Sequence, residues 1–183
     1  MPAPPDIRLV PPNAALLPAY AAALERGWSP NTTRDVSGEQ LAALRADPGA
    51  FLDDLTRQEG FVTLGDGCQV PRLPFRLFWI TDGDFAGSIN LRFRRGTEEL
   101  PPYCSGHVGY GVVPWKRRRG YATRALALLL PIARAEGLAR VLVTCDDGNV
   151  ASRKVILANG GAFAGTAPDP VTGATKLLFW IAP

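Results

Sequence analysis

A single histidine, His107, and three cysteines, Cys68, Cys104 and Cys145, are the only imidazole and thiol groups in 183 residues. The cysteines are odd in number, widely spaced and without a CxxC pair. That argues against a disulfide framework and against a zinc site, and it suits a reducing compartment. No metal is expected. Long apolar runs are also missing: ALALLLPIA is too short to span a bilayer and is interrupted by Pro131. The opening MPAPPDIRLV has no positively charged stretch of the kind that begins a signal peptide. A cytoplasmic location without membrane attachment follows as the expectation. Charge of one sign is scarce in excess, the formal net charge being only +3, so the chain is not built to coat nucleic acid. Repeats, low-complexity stretches and linkers are absent, and one domain over 1–183 is the simplest division.

What is present is an alternation of helical and strand patterns. DIRLVPP (6–12) reads as a short strand. NAALLPAYAAALERG (13–27) reads as a helix capped by Asn13 and ended by Gly27. Residues 37–58 read as helix opening on a capping box of Ser37 and Gln40, with a break at Asp47-Pro48. GDGCQVPRLP (65–74) reads as a loop. FRLFWIT and FAGSINLRFRR flank Asp-Gly-Asp and predict a hairpin. The second half runs strand (HVGYGVVP), helix (120–137), strand (ARVLVTCD), short helix (NVASRKVILANGG), then two closing strands around PDPVTG. The fold class is therefore α+β, with a mixed sheet flanked by helices and a right-handed βαβ crossover after HVGYGVVP.

The charge that does exist is local. Lys116, Arg117, Arg118 and Arg119 stand together immediately before a helix start, where the helix dipole disfavours cations. The repulsion is relieved if an anion sits there. Unpaired backbone N–H groups at the helix start favour a phosphate, and Gly120, lacking a Cβ, admits close approach. A Walker A string is absent, and Pro114 stands where GxGxxG needs its third glycine. The loop suits a pyrophosphate, and a solvated surface run is the other reading of the same residues. Binding to nucleic acid through the arginines is disfavoured, because no aromatic residues interleave a basic face.

Arg117-Arg-Arg-Gly-Tyr-Ala122 resembles the [Q/R]xxGx[G/A] signature of the GNAT acyltransferase superfamily, whose loop grips the pyrophosphate of acetyl-CoA. The context is similar as well: a strand ending in proline before it, ARAEGLARV after the helix, and then NVASRKVILANGGAF. The likeness covers about residues 75–181, whereas 1–74 agree only in element order. The resemblance implies an acetyl-CoA-dependent N-acetyltransferase, or an acyl-CoA-binding protein without catalysis, in a GNAT-like fold with a splayed cofactor cleft. It further implies that Gly111, Val112 and Val113 pair with the pantetheine arm as an added strand, with a backbone N–H near Val112 facing the thioester carbonyl. Arg118, Arg119, Gly120, Tyr121, Ala122 and Thr123 would hold the diphosphate together with Arg117. Asn149 would bond the pantetheine, Ser152 would lie nearby, and Arg153 would reach the 3′-phosphate. Helix capping alone would equally explain Asn149 and Ser152.

For the chemistry, His107 is the first candidate base, with a pKa near neutrality when unperturbed. Tyr110 and Ser152 are further candidates. Many relatives carry a tyrosine acid seven residues after the helix-start Asn; here that residue is Ile156. Cys145, without a His or Asp partner in sequence, reads as packing. The acceptor, a small-molecule or peptide amine, would meet Trp28, Arg34, Glu99 and Tyr103, from the two segments that set acceptor choice in the superfamily. The protein would act as a monomer or homodimer.

Overall fold

Tyr20, Trp28, Phe51, Trp79 and Phe85 are far apart in the chain, yet all five are buried in one aromatic cluster. Tyr20 stacks on Trp79 at 4.8 Å between ring centroids and meets Phe85 edge-on at 5.2 Å, geometries that add to plain area burial. The computed structural model that shows this describes residues 6–64, 67–170 and 172–183. Met1–Pro5, Gly65–Asp66 of the 65–74 segment and Val171 of the closing turn lie outside the described residues.

In chain order the elements are β1 (Arg8–Val10), a 3₁₀ turn (Ala14–Leu16), α1 (Leu17–Glu25), α2 (Ser37–Ala46), α3 (Pro48–Thr56), β2 (Phe61–Thr63), β3 (Gln69–Pro71), β4 (Phe75–Thr81), β5 (Phe85–Arg92), β6 (Val108–Val112), a second 3₁₀ turn (Pro114–Lys116), α4 (Tyr121–Ala135), β7 (Val141–Asp146), α5 (Val150–Ala158), β8 (Ala162–Pro168) and β9 (Thr175–Ile181). This is the α+β architecture the sequence pattern anticipates. Two compact units divide it. The first takes the residues up to Arg57 with Leu77–Asn90 and Tyr110–Ala125; the second takes Gln58–Arg76, Leu91–Gly109 and Leu126–Pro183.

The first unit holds the aromatic cluster and the three N-terminal helices. Asn13 caps the 3₁₀ turn, its side chain accepting the Leu16 N–H at 3.2 Å. Helix α1 ends with the Gly27 N–H on the Leu24 carbonyl and the Trp28 N–H on the Ala23 carbonyl, at 2.9 and 3.0 Å, the paired bonds of a Schellman motif. That turn folds Trp28 back into the core. The break at Asp47-Pro48 is a cap: Asp47 accepts the Ala50 N–H at 3.0 Å and Pro48 occupies the first position of α3. The expected capping box does not form. Ser37 is already helical, its N–H is taken by Asp35 Oδ1 at 2.8 Å, and Gln40 is drawn inward to accept the Tyr20 hydroxyl.

The four-stranded sheet runs in the order β1-β4-β5-β6, and the three-stranded one in the order β7-β9-β8. β1 pairs antiparallel with β4, and β9 pairs antiparallel with both β7 and β8. β6 is therefore the edge of one sheet and β7 an edge of the other. In the second unit the His107 N–H donates to the Leu142 carbonyl at 2.8 Å, at the heads of these two strands. The segment read as a loop over 65–74 contains a strand: β3 pairs with β2 in a two-stranded hairpin. Pro131 lies inside α4, which continues through it. Among the described residues no helix is long and apolar enough to cross a membrane.

Candidate functional site

The basic run lies within the first unit, and its cations do not share one task. Lys116 donates to Asp82 Oδ1 at 2.7 Å and sits 3.6 Å from Asp84 Oδ2. Arg117 turns its Nε–H back onto the Val112 carbonyl at 3.0 Å. Arg118 and Arg119 are exposed. The backbone between them is unusual. Arg118 has φ +59° and Gly120 φ +84°, so left-handed residues alternate with Arg119, the pattern that shapes an anion-binding concavity. A non-glycine residue held at positive φ stores strain that clusters at ligand sites. The Gly120 carbonyl accepts the Arg124 N–H at 2.9 Å and opens α4. The N–H groups of Tyr121 and Ala122 are thereby at the helix start, where no intrahelical carbonyl reaches them.

Strand β6 leads into this loop along a sheet edge. Its register follows from two bonds, Arg92 N–H to His107 carbonyl at 2.8 Å and Val113 N–H to Ala86 carbonyl at 3.0 Å. Backbone groups alternate along a strand. With Val113 bonded to β5, Val112 presents its N–H and C=O to the open edge. Gly111 faces β5: a Cβ on Gly87 (φ +145°) would lie 2.1 Å from the Gly111 carbonyl oxygen. Val113 is fully engaged, its carbonyl accepting the Lys116 N–H at 3.0 Å. Of the three residues expected to pair with a pantetheine arm, only Val112 turns a backbone donor outward, and its carbonyl is held by Arg117. At Val113 the N–H is on the Ala86 carbonyl and the carbonyl accepts the Lys116 N–H, so both backbone groups are already paired within the first unit.

The Acetyltransferase (GNAT) domain family matches residues 13–162. The chain belongs to the GNAT acetyltransferase family. No curated protein matches it in sequence. Among solved structures, the fold is similar to RimJ of Mycobacterium smegmatis in complex with CoA-disulfide, at 22% identity and TM-score 0.61, covering 96% of this chain and 81% of that one. It is also similar to the Salmonella typhimurium acetyltransferase that modifies the N-terminal serine of ribosomal protein L7/L12, at 14% identity and TM-score 0.59, covering 97% and 95%. A third likeness is the microcin C7 self-immunity acetyltransferase MccE with acetyl-CoA and AMP, at 12% identity and TM-score 0.61, covering 97% and 92%.

His107, the first candidate base, lies in the second unit. Its side chain is wholly buried, and Nδ1 accepts the Leu142 N–H at 2.9 Å. Burial, with Arg92 adding to it, lowers its pKa to about 4. The imidazole is neutral and serves as a fixed acceptor for β7. Tyr110 is half-buried on β6. Asn149 caps α5: its Oδ1 accepts the Ser152 N–H at 3.0 Å, which commits the oxygen and not the amide nitrogen. The Ser152 side chain bonds Cys145, whose thiol is pushed up chiefly by burial. A raised thiol pKa makes Cys145 packing and not a nucleophile. Arg153 is half-buried on the same helix.

The acceptor residues fare unevenly. Trp28 is buried in the core, edge-on to Phe85 at 5.2 Å. Arg34 is exposed and paired with Glu39, with Nη2 at 3.2 Å from Oε2. Glu99 is exposed and lines a groove of about 840 Å³ in the second unit, with Glu98, Cys104, Arg140 and Trp180. There Arg140 donates to Glu98 at 2.6 Å and lies 4.2 Å above the Trp180 ring. Tyr103 is half-buried on the same loop. Among the described residues no cluster of His, Cys, Asp or Glu is arranged to hold a metal ion. The residue that sequence reasoning missed is Asp82. It lies 34 positions before Lys116 and 39 before Tyr121, and binds both. Only the Asp-Gly-Asp turn marked the place.

Proposed function

We propose that this chain is an acetyl-CoA-dependent N-acetyltransferase, acting as one cytoplasmic domain on the primary amine of a peptide or small molecule. The loop from Arg117 to Thr123 carries the reading. It joins two exposed arginines, a turn with Arg118 and Gly120 at positive φ, and a helix start, beside a strand edge with one outward N–H. Such a loop suits a diphosphate followed by an amide-bearing arm. Arg118, Arg119 and the N–H groups of Tyr121 and Ala122 would hold the phosphates, with Thr123 beside them, and the edge of β6 would align the arm. Asn149, Ser152 and Arg153 are retained as further cofactor contacts.

Bound acetyl-CoA supplies an acyl thioester. The Val112 N–H, fixed in a strand, would be the backbone donor toward the thioester carbonyl oxygen. No buried side-chain base is required: an α-amine has a pKa of about 8, so its neutral form is accessible near neutrality, and alignment supplies most of the acceleration. The Tyr121 hydroxyl is pushed up to about 12 by burial and by its bond to Asp82, and stays protonated. Glu99 and Tyr103 are the acceptor-side residues we retain, Glu99 for its charge toward an ammonium group. The three unbridged cysteines support a reducing compartment.

The test is an acceptor screen with purified protein, acetyl-CoA, peptides bearing free N-termini and a panel of small amines. Release of CoA thiol should coincide with a product heavier by one acetyl group. Tight acetyl-CoA binding without turnover on any amine would contradict catalysis.

A further inference from the structure

Asp82, in the turn between β4 and β5, is bound on both carboxylate oxygens. Oδ1 accepts Lys116 Nζ at 2.7 Å and Oδ2 accepts the Tyr121 hydroxyl. The turn presets it: the Asp84 N–H reaches Asp82 Oδ1 at 3.2 Å, and the Asp82 N–H meets the Asp84 carbonyl at 3.4 Å. The triangle closes where Lys116 Nζ lies 5.9 Å from the centroid of the Tyr121 ring. Lys116 ends the 3₁₀ turn that precedes the arginines and Tyr121 begins α4, so the two partners bracket Arg117–Gly120 on either side. Lys116 is nearly covered, its side chain 12% exposed. All three residues belong to the first unit.

We propose that Asp82 is a positioning residue for the cofactor loop, clamping both ends of the Arg117–Gly120 segment so that its strained backbone is held ready for the diphosphate. The proposal rests on the reading of that loop as the acetyl-CoA diphosphate site. The clamp gives the basic run a division of labour. Lys116 is neutralised by Asp82 and Asp84, Arg117 is tied to Val112, and Arg118 and Arg119 remain for the ligand. The Arg118 backbone at positive φ needs such a frame, since an unsupported loop relaxes away from a strained conformation. Desolvation would raise the Asp82 carboxyl, but the bonds from Lys116 and Tyr121 outweigh it and hold the carboxyl at about 2. The clamp is therefore charged throughout the working range.

The sign of one substitution separates positioning from simple charge. Asp82 is an anion beside a site for an anion. By Coulomb's law alone, Asp82→Asn would tighten CoA binding, because it removes repulsion and frees Lys116. Positioning predicts the reverse. Calorimetric titration with CoA at fixed ionic strength should show Asp82→Asn binding about tenfold more weakly and Tyr121→Phe about threefold, the scale of a misplaced binding group. Asp82→Glu, keeping the charge, should recover part of the loss. If Asp82→Asn does not fold, Tyr121→Phe carries the test, since its ring still packs and only the hydroxyl is lost. A wild-type protein that binds CoA beside an Asp82→Asn or Tyr121→Phe variant that binds as tightly or tighter overturns the clamp alone. A wild-type protein that gives no heat with CoA overturns the cofactor reading, and the clamp with it.

Discussion

His107 shows how one residue's environment decides its chemistry. Desolvation lowers its pKa from 6.5 to about 4. The unfolded chain therefore binds a proton below pH 6.5 that the fold takes up only near pH 4. In that window the unfolded state holds more protons, so stability falls as pH drops from 6.5 toward 4. His107→Gln should lose this component: the thermal midpoints of wild type and variant should converge on acidification across the window. At neutral pH the substitution leaves the Leu142 N–H without its acceptor, a loss of about 1–3 kcal/mol. Turnover per folded molecule should change by less than a general base's effect of about 10²-fold or more; a loss of that size with the acid limb of the pH profile abolished would restore His107 to catalysis. Gly87 makes a second residue-scale prediction. Its φ of +145° and the 2.1 Å approach of any Cβ to the Gly111 oxygen leave alanine no relaxed position. Gly87→Ala should destabilise by roughly 3 kcal/mol or more, measurable by urea denaturation.

At the scale of elements, the loop–helix junction before α4 does what isolated residues cannot. Gly120 at φ +84° shapes the turn into the helix, and its carbonyl starts the helical ladder. Gly120→Asp places a carboxylate at the proposed phosphate position, where binding should fall at least about 100-fold by charge opposition and lost space. Circular dichroism should remain that of the wild type, because Asp tolerates the left-handed region. Such elements were legible in the sequence where the signal is local. The proline ending HVGYGVVP, the Asn149 cap and the Asp47-Pro48 break are short-range patterns, and the structure places each where its pattern falls. Long-range choices were not legible. Trp28 follows a glycine in a polar stretch and reads as a loop aromatic, but the bonds from Gly27 and Trp28 back into α1 turn it into the core. Gln40 has the spacing of a capping box, yet the Tyr20 hydroxyl, twenty positions earlier, takes its side chain. The β2–β3 hairpin escaped because each strand has only three residues, too few for an alternation to register. Alternation along β6 could have divided Val112 from Gly111 and Val113, but only once β5 was known to cover one side.

For the whole molecule, the family supplies acetyl transfer and the geometry supplies the place where its donor would be held. A ligand that binds only the folded chain must raise the unfolding midpoint, by about 2.7 kcal/mol of added stability at a hundredfold excess over Kd. The shift should grow with acetyl-CoA concentration and be absent with free adenine at the same concentration. The most direct test of the central claim is a calorimetric titration of acetyl-CoA into the wild-type protein and into Gly120→Asp. The account predicts a one-to-one isotherm with the wild type and none with the folded variant. Heat of equal size and midpoint from both proteins, or none from the wild type, would contradict it.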